Sequence, residues 1–80
     1  MPNLSSRRQD PILLALGAAI KRQRISQGIS QEELALRADI DRSYLGRVER
    51  GDNNVAVLKL ARIAQALNLT IAGLTAEAGI

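Results

Sequence analysis

The stretch SQEELALRADIDRSYLGRVERG, residues 30–51, decides the fold of this chain. Its first four residues, Ser30-Gln31-Glu32-Glu33, have the form of a capping box and predict the start of a helix. We expect that helix to end near Asp39, because aspartate tolerates the left-handed backbone conformation of a tight turn. Asp41 is placed to cap a further helix, which Gly51 should end. The stretch therefore predicts two short helices joined by a brief break.

The inner face of the first of these helices carries small and aliphatic side chains, Leu34, Ala35 and Ala38. Two short helices joined so closely cannot share a long antiparallel seam, so they should cross steeply. Ala35 is small enough for the next helix to cross close to it. This is the arrangement of a helix-turn-helix, in which the second helix enters the major groove of DNA.

That second helix, residues 42–50, has a polar arc and an apolar arc when its residues are placed about 100° apart. The polar arc holds Arg42, Ser43, Gly46, Arg47 and Arg50, and the apolar arc holds Tyr44, Leu45 and Val48. A mid-helix glycine costs about 0.5–1 kcal/mol relative to alanine, and close approach of another molecule is one reason to keep Gly46. An ordinary amphipathic helix with a solvated face explains the same pattern, so this helix alone leaves both interpretations open.

The rest of the chain predicts three more helices. Asp10-Pro11 suits the cap and first turn of a helix that Gly28 should end. Asn54 is placed to cap a fourth helix at about 55–67, and a short fifth helix should follow Thr70. No segment alternates polar and apolar residues as a half-buried strand does. The predicted fold class is therefore all-α, with five helices.

Length and composition exclude several kinds of site. With 80 residues there is room for one core, so we expect residues 10–80 to form a single domain and residues 1–9 a flexible arm. The chain has no cysteine and no histidine, which excludes disulfides, Ser–His and Cys–His nucleophiles and most zinc sites. It also has no glycine-rich phosphate loop. We therefore expect no enzymatic activity, metal, cofactor or small-molecule ligand.

The sequence also bears on location. No segment reaches the roughly 20 apolar residues that a membrane span needs. The paired arginines Arg7 and Arg8 precede an apolar run, as in a twin-arginine signal, but the run is short and has no A-x-A cleavage site. The absence of cysteine suits a reducing compartment. We expect a cytoplasmic, nucleoid-associated protein with no membrane partner.

The formal charge of +3 is concentrated in one half of the chain. Residues 1–51 hold nine basic and six acidic side chains, whereas residues 52–80 hold two of each. A basic half that contains the predicted helix-turn-helix indicates a phosphate-bearing partner. Ordinary surface charge for solubility is the alternative, and a charge of +3 alone does not exclude it.

Residues 30–51 resemble the helix-turn-helix of the Xre/Cro-type repressor superfamily. The matching residues are Gln31 opening helix two, Ala35 within it, Ile40 in the turn, Leu45 and Val48 in helix three, and the closing Glu49-Arg50-Gly51. Asp39 departs from the pattern, because the family often has glycine there, but aspartate also adopts the left-handed conformation. The resemblance extends over residues 11–75 and implies a lambda-repressor-like domain, of bacterial or phage origin, that binds double-stranded DNA.

The resemblance also implies which residues contact DNA. By position in the family, the base contacts are Arg42, Ser43 and Arg47. Because arginine hydrogen-bonds both O6 and N7 of guanine, we expect guanine in each half-site. The expected phosphate contacts are Gln31, Tyr44, Arg50, Asn53 and Asn54, with Arg22 and Lys21 as weaker candidates. Core packing of Tyr44, and a turn-and-cap role for the two asparagines, are the alternatives.

A charged residue falls on the inward face of helix one. Arg24 shares that face with Leu13, Leu16 and Ile20, and a charge near the core needs a partner. Glu49, at the edge of the apolar arc of helix three, is the evident candidate, and repressors of the resembling type pair these positions similarly. We predict an Arg24–Glu49 ion pair that locks helix one to helix three; the alternative is that Arg24 extends to solvent.

The apolar residues of helix four span about 160°, which is wider than one packing seam requires. The excess, with the apolar residues that follow, predicts a two-fold homodimer interface. The residues assigned to this interface are Leu60, Ala64, Leu67, Leu69, Ile71 and Leu74. A fully intramolecular core is the alternative.

The sequence thus predicts a homodimeric, sequence-specific DNA-binding transcriptional regulator that acts on a palindromic operator. Single-domain chains of the superfamily include control proteins of restriction–modification systems, phage Cro-like repressors and antitoxins of toxin–antitoxin pairs. The sequence does not separate these roles. A protein-interaction module that uses the same fold without reading DNA is the alternative of a different class.

Overall fold

The computed structural model describes residues 9–80, which form five α-helices and no strand. The helices are α1 (Pro11–Ser26), α2 (Gln31–Ala38), α3 (Arg42–Arg50), α4 (Val57–Ala66) and α5 (Ile71–Ala78). This confirms the predicted all-α fold, with the helix-turn-helix at α2 and α3. Residues 1–8 of the predicted flexible arm lie outside the described residues. None of the five helices is by itself long and apolar enough to cross a membrane, and only α4 and α5 taken as a pair, bent by 87°, meet that length and composition.

Local signals set the ends of most helices where the sequence predicts them. The Ser30 hydroxyl oxygen accepts a hydrogen bond from the Glu33 amide (3.0 Å) at the start of α2. Asp39 ends α2 in the left-handed conformation (φ 57°), and Gly51 ends α3 in the same way (φ 78°). Asp10 caps α1 by accepting from a backbone amide at 2.9 Å. These caps satisfy backbone groups that helix ends leave unpaired.

One predicted cap, Asn54, is wrong, and another, Asp41, holds its position without a capping hydrogen bond. Helix α4 begins at Val57 with Ala56 at its cap position, and Asn54 does not cap it. In the irregular segment before α4, Val55 packs against the core. Asp41 occupies the cap position of α3 but makes no capping hydrogen bond; its carboxylate accepts from the Ser43 hydroxyl. Helix α3 therefore starts without a side-chain cap.

All five helices build one apolar core. Its largest fully buried side chains are Ile20, Leu34, Leu45, Ile63, Leu67 and Leu74. Four of the residues predicted at a dimer interface, Leu60, Ala64, Leu67 and Leu74, are at most 9% exposed within the single chain. Their assignment to a dimer interface is wrong, because α4 packs on α2, and α5 on α1, in the same chain. The other two, Leu69 and Ile71, are half-buried at the edge of the core.

Helix α1 crosses α3 in close contact at Gly17. A Cβ atom on Gly17 would lie 2.6 Å from the main-chain oxygen of Glu49 and 2.8 Å from its carbonyl carbon. Backbone atoms inside a helix cannot rotate away, so only glycine fits. The sequence predicts a close crossing at Ala35, which is buried (3% exposed), and predicts no role for Gly17. The contact holds one side of α3 on the core and leaves its other side at the surface.

Candidate nucleic-acid interface

Helix α3 presents a polar face to solvent and an apolar face to the core, as its residue pattern predicts. Leu45 and Val48 are buried, whereas Arg42 and Ser43 are exposed and Arg47 is half-buried. The three residues predicted to contact bases therefore lie on the accessible side of one nine-residue helix.

Beneath this face, an ion pair joins α1 to α3. Arg24 donates from Nε to Glu49 Oε2 at 2.7 Å and from Nη2 to Glu49 Oε1 at 3.1 Å. Its remaining nitrogen, Nη1, donates to the main-chain oxygen of Ile29 at 3.0 Å. The two side chains are 11% and 3% exposed, so the pair is largely desolvated and its bidentate geometry constrains both helices. The Arg24–Glu49 pair predicted from the inward position of Arg24 is present in the structure.

Gln31 connects the buried pair to the start of α3. Its Nε2 donates to Glu49 Oε1 at 3.0 Å, and its Oε1 accepts from Arg42 Nη1 at 3.3 Å. A chain of contacts therefore runs from the buried Arg24 through Glu49 and Gln31 to the exposed Arg42. A side chain predicted to bind phosphate thus also orients one of the arginines predicted to read bases.

Tyr44 is half-buried, and two cations lie over its ring. Lys59 Nζ is 4.8 Å from the ring centroid and Arg47 Cζ is 5.9 Å from it. Both distances fall within the roughly 6 Å range of cation–π attraction. The ring also packs against the core, which was the alternative considered for this residue. Tyr44 therefore brings α3 into contact with Lys59 on α4.

Gly46 lies beneath the side chains of Gln31 and Arg50. A Cβ atom at this position would meet Arg50 Nη1 at 3.4 Å and Gln31 at 3.7 Å or more, which are ordinary contacts with flexible groups. Packing among residues 9–80 therefore does not require glycine here, in contrast to Gly17.

The C-terminal end of α3 is held by Asp52 and Gln9. The Asp52 carboxylate, which is mostly buried, accepts from Arg50 Nε at 3.1 Å and from Gln9 Nε2 at 2.6 Å. The backbone amide of Gln9 donates to the main-chain oxygen of Gly51, also at 2.6 Å. The sequence assigned Gln9 to the flexible arm, and the structure instead hydrogen-bonds it to the end of α3.

The other predicted phosphate contacts have different surroundings. In the amide orientation that its neighbours favour, Asn53 accepts from Arg47 Nε at 3.2 Å. Asn54 is exposed. The Arg22 guanidinium donates to the main-chain oxygen of Glu77 at the end of α5 (2.9 Å). Arg22 is therefore hydrogen-bonded to α5. Among residues 9–80, no hydrogen bond links it to the other predicted phosphate contacts.

The charges at this face are unevenly compensated. Among residues 9–80, the arginines paired with carboxylates are Arg24, Arg37 and Arg50. Arg42, Arg47 and Lys59 are not among them. Their uncompensated positive charge favours an anionic partner. The same part of the chain holds no group of three or more His, Cys, Asp or Glu side chains that suits a metal ion.

Three residues of this region carried no functional assignment from the sequence: Gly17, Asp52 and Lys59. A glycine inside a predicted helix was an available signal for Gly17. No sequence signal indicates Lys59 or Asp52, because their contacts depend on how α3, α4 and the residues before α1 pack together.

Residues 20–74 match a protein family described as helix-turn-helix. The control protein C.BamHI of Bacillus amyloliquefaciens is 36% identical over 59 residues, which cover 72% of this chain and 73% of that protein. The restriction–modification controller protein C.AhdI of Aeromonas hydrophila superposes with a TM-score of 0.76 at 39% identity, covering 78% of this chain and 94% of that one. The biofilm regulator SinR, solved in complex with DNA, superposes with a TM-score of 0.70 at 32% identity, covering 74% and 95%.

Proposed function

This chain belongs to the helix-turn-helix family of DNA-binding transcriptional regulators and is related to restriction–modification control proteins, and from that premise we propose that it binds a palindromic operator as a homodimer through α3. The observation that carries the proposal is the exposed polar face of α3, which holds uncompensated arginines and is backed by a buried ion pair. Because the family consists of DNA-binding regulators, the proposal includes no catalytic activity. It places the protein at the nucleoid, in the cytoplasm.

We assign the base contacts to Arg42, Ser43 and Arg47, which share the accessible side of α3. Two guanidinium groups on this face suit guanine, because each is able to bond O6 and N7 together. The residues assigned to phosphate contacts are Gln31, Tyr44, Arg50, Asn53 and Asn54. Arg22 is the weakest of the predicted contacts, because its guanidinium already donates to α5.

The proposed dimer interface is a shallow apolar groove along α4 and the start of α5. Leu69 and Ile71, the two predicted interface residues outside the core, line it together with Ala61 and Ala72. A two-fold axis through this groove makes the same surface meet itself in both copies. A palindromic operator then requires the two α3 helices to lie about 34 Å apart.

Among the roles considered, the relatives favour that of a control protein over that of an antitoxin. Two of the proteins compared above are named as control or controller proteins. A restriction or modification gene beside the gene for this chain would support that role, and a toxin gene in that position would contradict it.

DNA binding is tested by fluorescence anisotropy on duplex DNA from the region upstream of the protein's own gene. The measurement runs over a salt series with random duplex as competitor, and Arg47→Ala is the matched variant. We expect tight binding that survives competitor and falls by about fivefold or more in the variant. Weak binding, equal on random DNA and unchanged by Arg47→Ala, would favour the protein-interaction module instead.

A further inference from the structure

We propose that Lys59 on α4 is a further DNA-phosphate contact and that the Tyr44 ring positions its ammonium group at the edge of the α3 surface. This inference rests on the proposed function, since it extends the DNA-binding face beyond the helix-turn-helix to a second element. Neither the sequence pattern nor the resemblance assigns Lys59 any role.

Lys59 lies beside the Tyr44 ring, next to a residue of the proposed DNA-binding face. The Lys59 ammonium lies 4.8 Å from the centroid of the Tyr44 ring. The guanidinium of Arg47, assigned to base contacts, lies over the same ring at 5.9 Å. One aromatic side chain therefore carries a cation from α3 and a cation from α4. A DNA strand lying against α3 brings its phosphates towards both groups.

The charge of Lys59 is not balanced by a carboxylate among residues 9–80. Of the cations in residues 9–80, the structure pairs Arg24, Arg37 and Arg50 with carboxylates, and Lys59 has no such partner within 4.0 Å. Arg47, which shares the ring, has none either. Two like charges on one ring repel each other, so an anion that binds both is favoured. A phosphate oxygen satisfies the ammonium without needing the fixed geometry of a base edge.

A purely structural role for Lys59 predicts a different result in solution. If its methylene chain only covers the Tyr44 ring, then replacing it changes stability but not the number of phosphates neutralised. The salt dependence of DNA binding separates the two roles. Each neutralised phosphate contributes about 0.9 to the slope of log K against log salt concentration.

The experiment measures that slope by anisotropy, on the upstream duplex and on a random-sequence duplex. The variants are Lys59→Gln, Lys59→Arg and, as a control for net charge, Arg62→Gln on the same helix. We expect Lys59→Gln to lower the magnitude of the slope by about 0.9 per protomer on both duplexes. Lys59→Arg should retain the wild-type slope, and Arg62→Gln should leave it unchanged.

Two outcomes overturn the proposal, and they differ from failure of the proposed function. A wild-type slope for Lys59→Gln, or an equal loss in Arg62→Gln, rejects Lys59 as a phosphate contact while leaving the DNA-binding function intact. A wild-type protein that binds neither duplex rejects both proposals. The part played by the ring is tested separately: Tyr44→Phe should keep the Lys59 contribution, and Tyr44→Leu should reduce it. An undiminished Lys59 contribution in a folded Tyr44→Leu protein rejects that part.

Discussion

Gly17 lies directly against the main chain of Glu49, and this contact sets the distance at which α1 crosses α3. A Cβ atom on Gly17 would sit 2.6 Å from the Glu49 main-chain oxygen, far inside contact distance. The same Glu49 accepts two hydrogen bonds from Arg24 of α1. Glu49 therefore contacts α1 through both its backbone and its side chain. Together these two contacts fix how α1 and α3 cross.

Gly17→Ala should destabilise the fold. The added methyl would meet backbone atoms at less than 3 Å, so it forces the backbone of α3 outward. Overpacking costs about 1–3 kcal/mol, and a clash with backbone belongs at the upper end of that range, which outweighs the gain of about 1 kcal/mol in helix propensity. For a domain of this size each kcal/mol lowers Tm by about 4–8 °C. Thermal unfolding followed by circular dichroism, at fixed protein concentration, measures the effect. An unchanged or higher Tm would contradict the close contact.

Gly46→Ala should have the opposite effect on stability while weakening DNA binding. Its Cβ meets only flexible side-chain atoms at 3.4 Å or more, so the fold should gain about 0.5–1 kcal/mol from helix propensity. If DNA approaches the backbone of α3 here, the same methyl should reduce affinity about tenfold, or 1.4 kcal/mol. Anisotropy and thermal unfolding on one preparation give both numbers. Higher Tm with unchanged affinity would show that no outside surface comes close to Gly46.

Glu49→Ala should destabilise the protein strongly. Removing one partner of a buried pair leaves the other charge uncompensated, at a cost of about 3–5 kcal/mol, and here it also removes the acceptor of the Gln31 amide. The matched control is Glu33→Ala, which breaks a pair with Arg37 whose side chains are 45% and 49% exposed. That exposed pair contributes only about 0.3–0.5 kcal/mol.

A double variant tests the cause of that loss. Replacing Arg24 by methionine in the Glu49→Ala background removes the unpaired charge, so part of the lost stability should return. Urea unfolding of the set provides the comparison. Equal losses for Glu49→Ala and Glu33→Ala, or no recovery in the double variant, would mean that the buried pair does not constrain the fold as its geometry indicates.

The features predicted from the sequence are those whose causes are local. Ser30, Asp39 and Gly51 mark helix ends through their own backbone preferences and near neighbours, so a short stretch was sufficient to place them. The Arg24–Glu49 pair could also be predicted from the sequence. A charged residue on an apolar helix face needs a partner, and few acidic residues lie on faces that could pack against it.

The features that the sequence missed depend on how remote elements cross. The apolar arc of α4 does not specify which neighbour covers it. The sequence therefore predicts a partner chain for Leu60 and Leu67, whereas α2 and α5 of the same chain pack against α4. Asn54 has the right chemistry for a cap, but α4 begins only at Val57, and no preference of Asn54 itself fixes that starting point. Lys59 meets Tyr44 only because of the angle between α3 and α4, which no pattern in either helix encodes.

The proposed dimer groove is tested by placing a charge in it without disturbing the core. Ala72 is exposed and lines the groove, so Ala72→Lys should leave the monomer folded. In a two-fold interface through this groove each introduced lysine would be buried against an apolar surface, and a desolvated charge without a partner opposes association. We expect the variant to be monomeric in analytical ultracentrifugation at concentrations where the wild type is dimeric.

The matched control is Ala18→Lys, which adds the same charge to an exposed alanine in the middle of α1, outside the groove. It should sediment as the wild type does. Binding of Ala72→Lys to a palindromic duplex should also weaken, because two separate protomers each lose translational and rotational entropy on binding. If both variants remain dimeric, the interface lies elsewhere on the surface. A wild-type chain that is monomeric at tens of micromolar would reject the homodimer itself and leave α3 to bind single half-sites.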